Sequence, residues 1–208
     1  MSGSTAGKGK LVVISGPSGT GKSTECRMLA ERDPDIRISV SATTRPPRKN
    51  EHDGRDYHFI SRREFESKVR SGEFVEHAEY AGNLYGTLKS EVGRAMAEGK
   101  ILVMDIDVQG SAQVTAAYPD ALTIFLEPPT FDELLRRLNA RGTDSPDARR
   151  RRVEIAKREM DRRGEYRHQV VNDDLNEAVG RVFSIISGVG IPGSSAQSRK
   201  KSDRGSNS

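Results

Sequence analysis

Four short apolar runs interrupt an otherwise polar chain: Leu11 to Ile14, Ile101 to Ile106, Ala121 to Leu126, and Gln169 to Val171 with its flanks. Runs of this length without polar alternation are the pattern of parallel strands covered on both faces. Helical patterns lie between them. Thr24 to Ala30 follows the first run, Lys89 to Glu98 precedes the second, Phe131 to Ala140 follows the third and Asp174 to Ile186 follows the fourth. This order predicts an α/β fold, an open parallel sheet wound by helices, with ligands beyond the carboxyl ends of the strands. Between the first helix and Lys89 the pattern changes to short alternating stretches, Arg37 to Val40, Tyr57 to Ile60 and Phe74 to Tyr80, separated by turns containing Pro and Gly. That predicts an inserted β-rich lobe over residues 37–87, placed to act as a moving cover for a second ligand. A further helix is signalled at Ser145-Pro146-Asp147, with Ser as N-cap, Pro at the first helical position and an acid in the first turn. It carries the basic run Arg149 to Arg152 and belongs to a helical lid over residues 128–165.

Composition narrows the ligand class only a little. The 208 residues suffice for one substantial core. Thirty-four Lys and Arg against 30 Asp and Glu leave a net charge of +4, which suits small anions and is too balanced to indicate nucleic acid. The single cysteine, Cys26, has no partner for an internal disulfide and is expected in helix packing. No run approaches the roughly 18 apolar residues of a membrane span, and the first ten residues show no apolar signal-peptide core. A cytoplasmic location without membrane contact is expected. Residues 1–9 and 191–208 are small, polar and aperiodic, and read as solvated tails flanking a domain over 10–190.

Residues 16–23 read Gly-Pro-Ser-Gly-Thr-Gly-Lys-Ser, a complete G-x-x-x-x-G-K-[ST] loop between the first strand and the first helix. Gly16, Gly19 and Gly21 permit positive φ, so the loop through Pro17, Ser18 and Thr20 can aim the backbone N–H groups of its non-proline residues at an anion. The helix start at Thr24 adds its free N–H groups, Lys22 brings a flexible charge to the β- and γ-phosphates, and Ser23 offers a hydroxyl to Mg²⁺. The expected ligand is a nucleoside triphosphate with its magnesium.

The second ligand must be read from the lobe. Arg45 and Arg48 lie three apart on a segment that Pro46 and Pro47 hold extended, an arrangement open both to gripping one phosphate and to two surface arginines beside a turn. The hydroxyls of Tyr57 and Tyr85 can donate to the same phosphate, although strand aromatics are commonly core. Alternation sets Phe74, Glu76 and Ala78 on one face and Val75 and His77 on the other, and a carboxylate among apolar neighbours needs a partner. Asp105 and Asp107 close an apolar strand, as a Walker-B acid does; orienting Mg²⁺ waters and serving the acceptor site both stay open for them.

These blocks together resemble guanylate kinases. Ser39-Val40-Ser41-Ala42-Thr43-Thr44-Arg45-Pro46-Pro47-Arg48, Glu51, Asp53 to Phe59, Glu76 and Gly82 to Thr87 are similar to that family's successive signatures, and Asp105 to Gly110, Arg141-Gly142-Thr143 and Val171 to Leu175 follow in the same order. The resemblance spans about Leu11 to Ile186. It implies an ATP:GMP phosphotransferase in which Ser41 and Glu76 read guanine, aided by Thr87, and Arg45, Arg48, Tyr57 and Tyr85 hold the acceptor phosphate. It further implies Arg48, Arg141 and Arg152 around the transferred group, Arg137 on the helix leading to Arg141, Asn172 and Asp173 near the donor adenine, and Mg²⁺ on Ser23 with water-mediated help from Asp105. By residue pattern alone, Arg149 to Arg151 read as a solvated basic face, and a helix cap before Leu175 stays open as the alternative role of Asn172 and Asp173. A phosphopeptide-binding domain of the same fold that has lost catalysis is disfavoured by the intact Lys22 and Ser23. A kinase with another phosphorylated acceptor is disfavoured by the presence of both Ser41 and Glu76.

Overall fold

In the computed structural model, which describes residues 9–80, 82–139 and 146–188, the first apolar run is strand β1 (Lys10–Ser15) and the phosphate-type loop leads into α1 (Lys22–Arg32). β2 (Ile36–Ile38), β3 (Ala42–Thr43), β4 (His58–Phe59), α2 (Arg62–Arg70), β5 (Phe74–Tyr80), β6 (Asn83–Leu88) and α3 (Lys89–Ala97) follow. The chain continues through β7 (Ile101–Asp105), α4 (Val108–Ala117), β8 (Leu122–Glu127), α5 (Phe131–Asn139), α6 (Pro146–Asp161), β9 (His168–Val171) and α7 (Leu175–Ser187).

Five strands form a parallel sheet in the order β2-β7-β1-β8-β9, and four form a second sheet in the order β4-β3-β6-β5. The predicted doubly covered strand is β1. Val12 and Ile14 enter the core shared with Leu29 of α1 and Val179, Val182 and Ile186 of α7, whereas Leu11 and Val13 enter the core shared with Val92 and Ala95 of α3 and Val114 of α4. Successive residues of a strand point to opposite faces, so one uninterrupted apolar run anchors both helical layers. Cys26 lies in the first of these cores. Among the described residues no helix is long and apolar enough to cross a membrane.

The structure revises the predicted organisation in three places. Arg37 to Val40 was expected in the inserted lobe, but Ile36–Ile38 pairs parallel with β7 in the main sheet, so the lobe starts beyond it. The lobe also contains a helix, α2, whose N-cap Ser61 accepts from the Glu64 backbone N–H; Ser-x-x-Glu is the start of a capping box that marks this helix in the sequence. A helix not foreseen from the periodicity, α4, joins β7 to β8; its small residues weaken the apolar stripe, and its clearest local sign is Asp107, whose side chain accepts from the N–H groups of Gln109 and Gly110. The tails, Arg141 and Ser145 lie outside the described residues.

Helix α1 also carries Glu25, which has 0% exposure and no hydrogen-bond partner on either carboxyl oxygen among the described residues. Burial pushes its carboxyl from 4.5 up to about 7, and the Arg181 guanidinium of α7 opposes that shift. The folded protein therefore holds a proton that the unfolded chain releases above 4.5, so stability falls as pH rises toward 7 and levels off beyond it. Between pH 5 and pH 8 this group should remove up to roughly 3 kcal/mol of unfolding free energy. Glu25→Gln should flatten that part of the slope in denaturant titrations at the two pH values; an unaltered slope would place the proton elsewhere.

Candidate active site

β1 ends between β7 and β8, and the loop after it turns sharply. Gly16 and Gly21 have φ of 144° and 96°, and a Cβ at Gly16 would lie 2.3 Å from the Leu126 carbonyl oxygen, so no larger residue fits this bend. The loop is held from both sides. Lys22 Nζ donates to the carbonyls of Gly16 at 2.7 Å and Pro17 at 3.1 Å, and Asn172 Nδ2 donates at 2.7 Å to the Thr20 carbonyl from beyond β9. With these carbonyls engaged and α1 beginning at Lys22, the N–H groups at the start of that helix face the space in front of the sheet. Ser23 Oγ donates to Asp105 Oδ2 at 2.5 Å, which joins the first turn of α1 to the end of β7. A hydroxyl and a carboxylate so placed are hard oxygen ligands of the kind Mg²⁺ takes alongside phosphate oxygens and water.

The lobe supplies a buried polar chain. Glu76 has 5% exposure, its Oε1 accepts from Thr87 Oγ1 at 2.7 Å, and Thr87 Oγ1 lies 3.1 Å from Ser41 Oγ. Burial pushes the Glu76 carboxyl up to about 7; the Thr87 hydroxyl opposes the shift and the Asp107 charge adds to it. The alternation expected for β5 fails at its start, because the register with β6 shifts between Phe74 and Glu76. The bulge carries Phe74 to the face of His77, with ring centroids 6.2 Å apart, while Glu76 and Ala78 face the cavity.

Beside this chain, Arg45 is fixed by a bidentate pair to Glu51, at 2.8 and 2.9 Å, and its guanidinium lies 5.4 Å from the Tyr57 ring centroid and 5.8 Å from that of Phe59. Glu51 also accepts from the Arg48 backbone N–H at 2.8 Å. The pairing raises Arg45 above its ordinary value and holds the Glu51 carboxyl below the usual carboxylate range. Tyr57 and Tyr85 meet edge to face at 6.1 Å, and burial, with the nearby Asp105 charge, keeps the Tyr57 phenol protonated beyond its normal range.

One cavity of about 860 Å³ unites these parts. It is lined by Gly16, Ser18, Gly19, Gly21, Lys22, Ser23 and Thr24 of the loop, by Ser41, Tyr57, Glu76 and Tyr85 of the lobe, by Asp105 and Asp107, and by Arg152 of α6. The two aspartates, inseparable by sequence, have different partners: Asp105 holds Ser23, and Asp107 caps α4. Arg151, expected on a solvated face, lines the cavity beside Arg152, while Ala156 of the same helix packs against Leu134 and Leu138 of α5.

Other expected site residues lie off the cavity wall. Thr87 is wholly buried behind Ser41 and Glu76. Arg45 stands behind Tyr57, Arg48 is exposed, and Arg137 is paired with Glu133 at 2.7 Å and reaches the Asn172 carbonyl at 3.4 Å. Asp173 accepts from Arg181 at 2.7 Å, and the cap before Leu175 is Asp174, not Asn172 or Asp173. Two further residues belong to the site. Glu51 had no local signal beyond its place in a signature block. Glu159 of α6 lines the cavity, accepts from the Ser18 backbone N–H and is pushed up to about 7 by burial, against the pull of Lys22; it follows Ala156 by three residues, so the rule that flagged Glu76 applies to it as well.

The chain was compared with known proteins. A family model described as guanylate kinase matches residues 8–188. A guanylate kinase of Frankia casuarinae is 46% identical over 178 residues, covering 86% of this chain and 97% of its own length. One from Gloeobacter violaceus is 48% identical over 177 residues, covering 85% and 86%. The crystal structure of guanylate kinase from Anaplasma phagocytophilum superposes with a TM-score of 0.72 at 31% identity, over 88% of this chain and 86% of that one.

The buried contact from Asn172 to Thr20 predicts a stability effect separable from any ligand. Asn172→Asp replaces the N–H donor with a carboxylate oxygen facing the Thr20 carbonyl, and the ligand-free protein should lose about 1–3 kcal/mol in chemical denaturation. Unchanged stability would mean that the loop does not depend on this tie.

Proposed function

The chain belongs to the guanylate kinase family and is an ATP:GMP phosphotransferase, and we propose that the cavity between the loop, the lobe and α6 performs this transfer by placing positive charge and hydrogen-bond donors, without a general base. The observation that carries the reading is the continuity of one cavity from the Gly16–Ser23 loop to the Ser41, Thr87 and Glu76 chain. ATP lies with its phosphates on the loop amides and Lys22. GMP lies with its base against Glu76 and its phosphate toward Tyr57, Tyr85 and the Arg45 to Arg48 segment.

Guanine presents N1–H and an exocyclic NH₂ on one edge, and an ionised Glu76 accepts from both. The Ser41 hydroxyl rotates to donate to O6, with Thr87 completing the chain behind it. Adenine offers N1 without a proton and an amine in place of O6, which leaves two buried groups unpaired at about 1–3 kcal/mol each. The acceptor oxygen is already anionic near neutral pH, so no proton has to be removed before attack. What opposes reaction is repulsion between two polyanions, and Lys22, Arg151 and Arg152 face that space. Arg48 joins them on movement of the lobe, a role supported by its position on the lobe segment next to Arg45 and Glu51. Mg²⁺, held by Ser23 with Asp105 orienting its waters, neutralises charge on the donor phosphates when bound. Arg141 is assigned to the transferred phosphoryl by family pattern alone.

Lys22→Met should lower turnover by roughly a thousandfold at near-wild-type stability, measured by coupled ADP release; near-normal turnover would contradict its placement at the phosphates. Because the Glu76 carboxyl is raised to about 7 and must be ionised to accept from guanine, kcat/KM for GMP should fall as pH drops below 7, by about tenfold per unit well below it. Glu76→Gln should remove that limb of the profile and relax the preference for GMP over AMP by roughly a hundredfold. If both the limb and the preference survive the substitution, another group reads the base.

A further inference from the structure

β5 is the outer strand of the four-stranded sheet, so its free edge has no neighbouring strand to pair with. At the residue after Glu76 that edge is closed by a side chain. Gln113 of α4 accepts from the His77 N–H through Oε1 at 3.1 Å and donates to the His77 carbonyl through Nε2 at 2.9 Å, so one amide takes both backbone groups as a strand would.

The register of β5 against β6 shifts between Phe74 and Glu76, so pairing with β6 alone leaves the position of residue 76 under-determined. The Gln113 clasp sits immediately downstream of the irregularity. The same helix face also meets the carboxylate: Gly110, three residues before Gln113, would put a Cβ 2.7 Å from Glu76 Oε2. Asp107 in turn anchors the start of that helix by capping the N–H groups of Gln109 and Gly110.

We propose that Gln113 is a positioning residue for guanine selection, pinning His77 so that the Glu76 carboxylate stands at the spacing needed to accept N1–H and NH₂ together. The inference rests on the reading of Glu76 as the group that meets the guanine edge. It assigns the selectivity of the site partly to a side chain that touches neither nucleotide. IMP, which lacks the exocyclic NH₂, is the informative competitor, because a displaced carboxylate loses the second hydrogen bond first.

The test compares Gln113→Ala and Gln113→Met, the latter keeping side-chain bulk without donor or acceptor, with Glu76→Gln in the full chain. Each is assayed with GMP, IMP and ATP as the varied substrate. Both Gln113 variants should raise KM for GMP about tenfold and shrink the GMP-to-IMP ratio of kcat/KM by a similar factor, with KM for ATP unchanged. A loss of packing alone would not move the base ratio. If Glu76→Gln collapses the ratio while Gln113→Met, folded to the same melting temperature as wild type, retains it, the positioning role is overturned and the Glu76 reading stands. If Glu76→Gln itself leaves the ratio intact, the reading falls and the inference falls with it.

Discussion

The parallel pairing of β1 with β7 on one side and β8 on the other is the constraint from which the site follows. Ile14 is in register with Asp105 of β7 and with Ile124 of β8, so the chain leaves β1 at the middle of the sheet with strand ends on both sides. A loop starting there has nowhere to go but over the sheet's carboxyl edge. The register also sets Asp105 level with the loop, and Ser23 reaches it from the first turn of α1. The phosphate-binding loop and the strand-end acid are thus juxtaposed by backbone hydrogen bonds before any ligand is considered.

At three carboxylates burial outweighs whatever positive charge lies near. Glu25, Glu76 and Glu159 are all raised to about 7 by burial, in three different settings. At Glu25 nothing among the described residues compensates by hydrogen bonding, and the result is a stability liability coupled to pH. At Glu76 the Thr87 hydroxyl and the cavity give the charge a use, since an ionised carboxylate in a poorly solvated place has most to gain from two N–H donors. At Glu159 the carboxylate meets a loop amide near Lys22, so α6 and the loop share an electrostatic contact. The same desolvation raises a carboxyl that faces the cavity in one place and weakens the fold in another.

The lobe is a separate packing unit with a small core of its own. Phe65 and Phe74 stack with centroids 4.4 Å apart over Ala42, and Ile60, Val69, Leu84 and Leu88 pack around them between α2 and the four-stranded sheet. A core of this size leaves the lobe dependent on ties to the main domain. One is Val75, which turns from the lobe into the α3 and α4 core; another is the Gln113 clasp. Both flank Glu76, so this cavity-facing carboxylate stands where the lobe is tied to the main domain.

Much of this was legible without coordinates because the signals are local. Short apolar runs marked four of the five strands of the main sheet, and the loop from Gly16 to Ser23 pointed to its ligand class by glycine placement and one lysine. The Ser61 to Glu64 cap that marks α2 was equally local and was overlooked, whereas α4 lacks a strong stripe and the bulge in β5 depends on what β6 places opposite it. Sheet membership of Ile36–Ile38, the pairing of Arg45 with Glu51, the division of labour between Asp105 and Asp107, and the clasp of Gln113 on His77 were decided by the tertiary structure. The physical reason is range. Periodicity, capping and loop chemistry are settled within a few residues, while a partner 36 or 82 positions away, as for Gln113 or Ser23, is chosen only when the strands have taken their order.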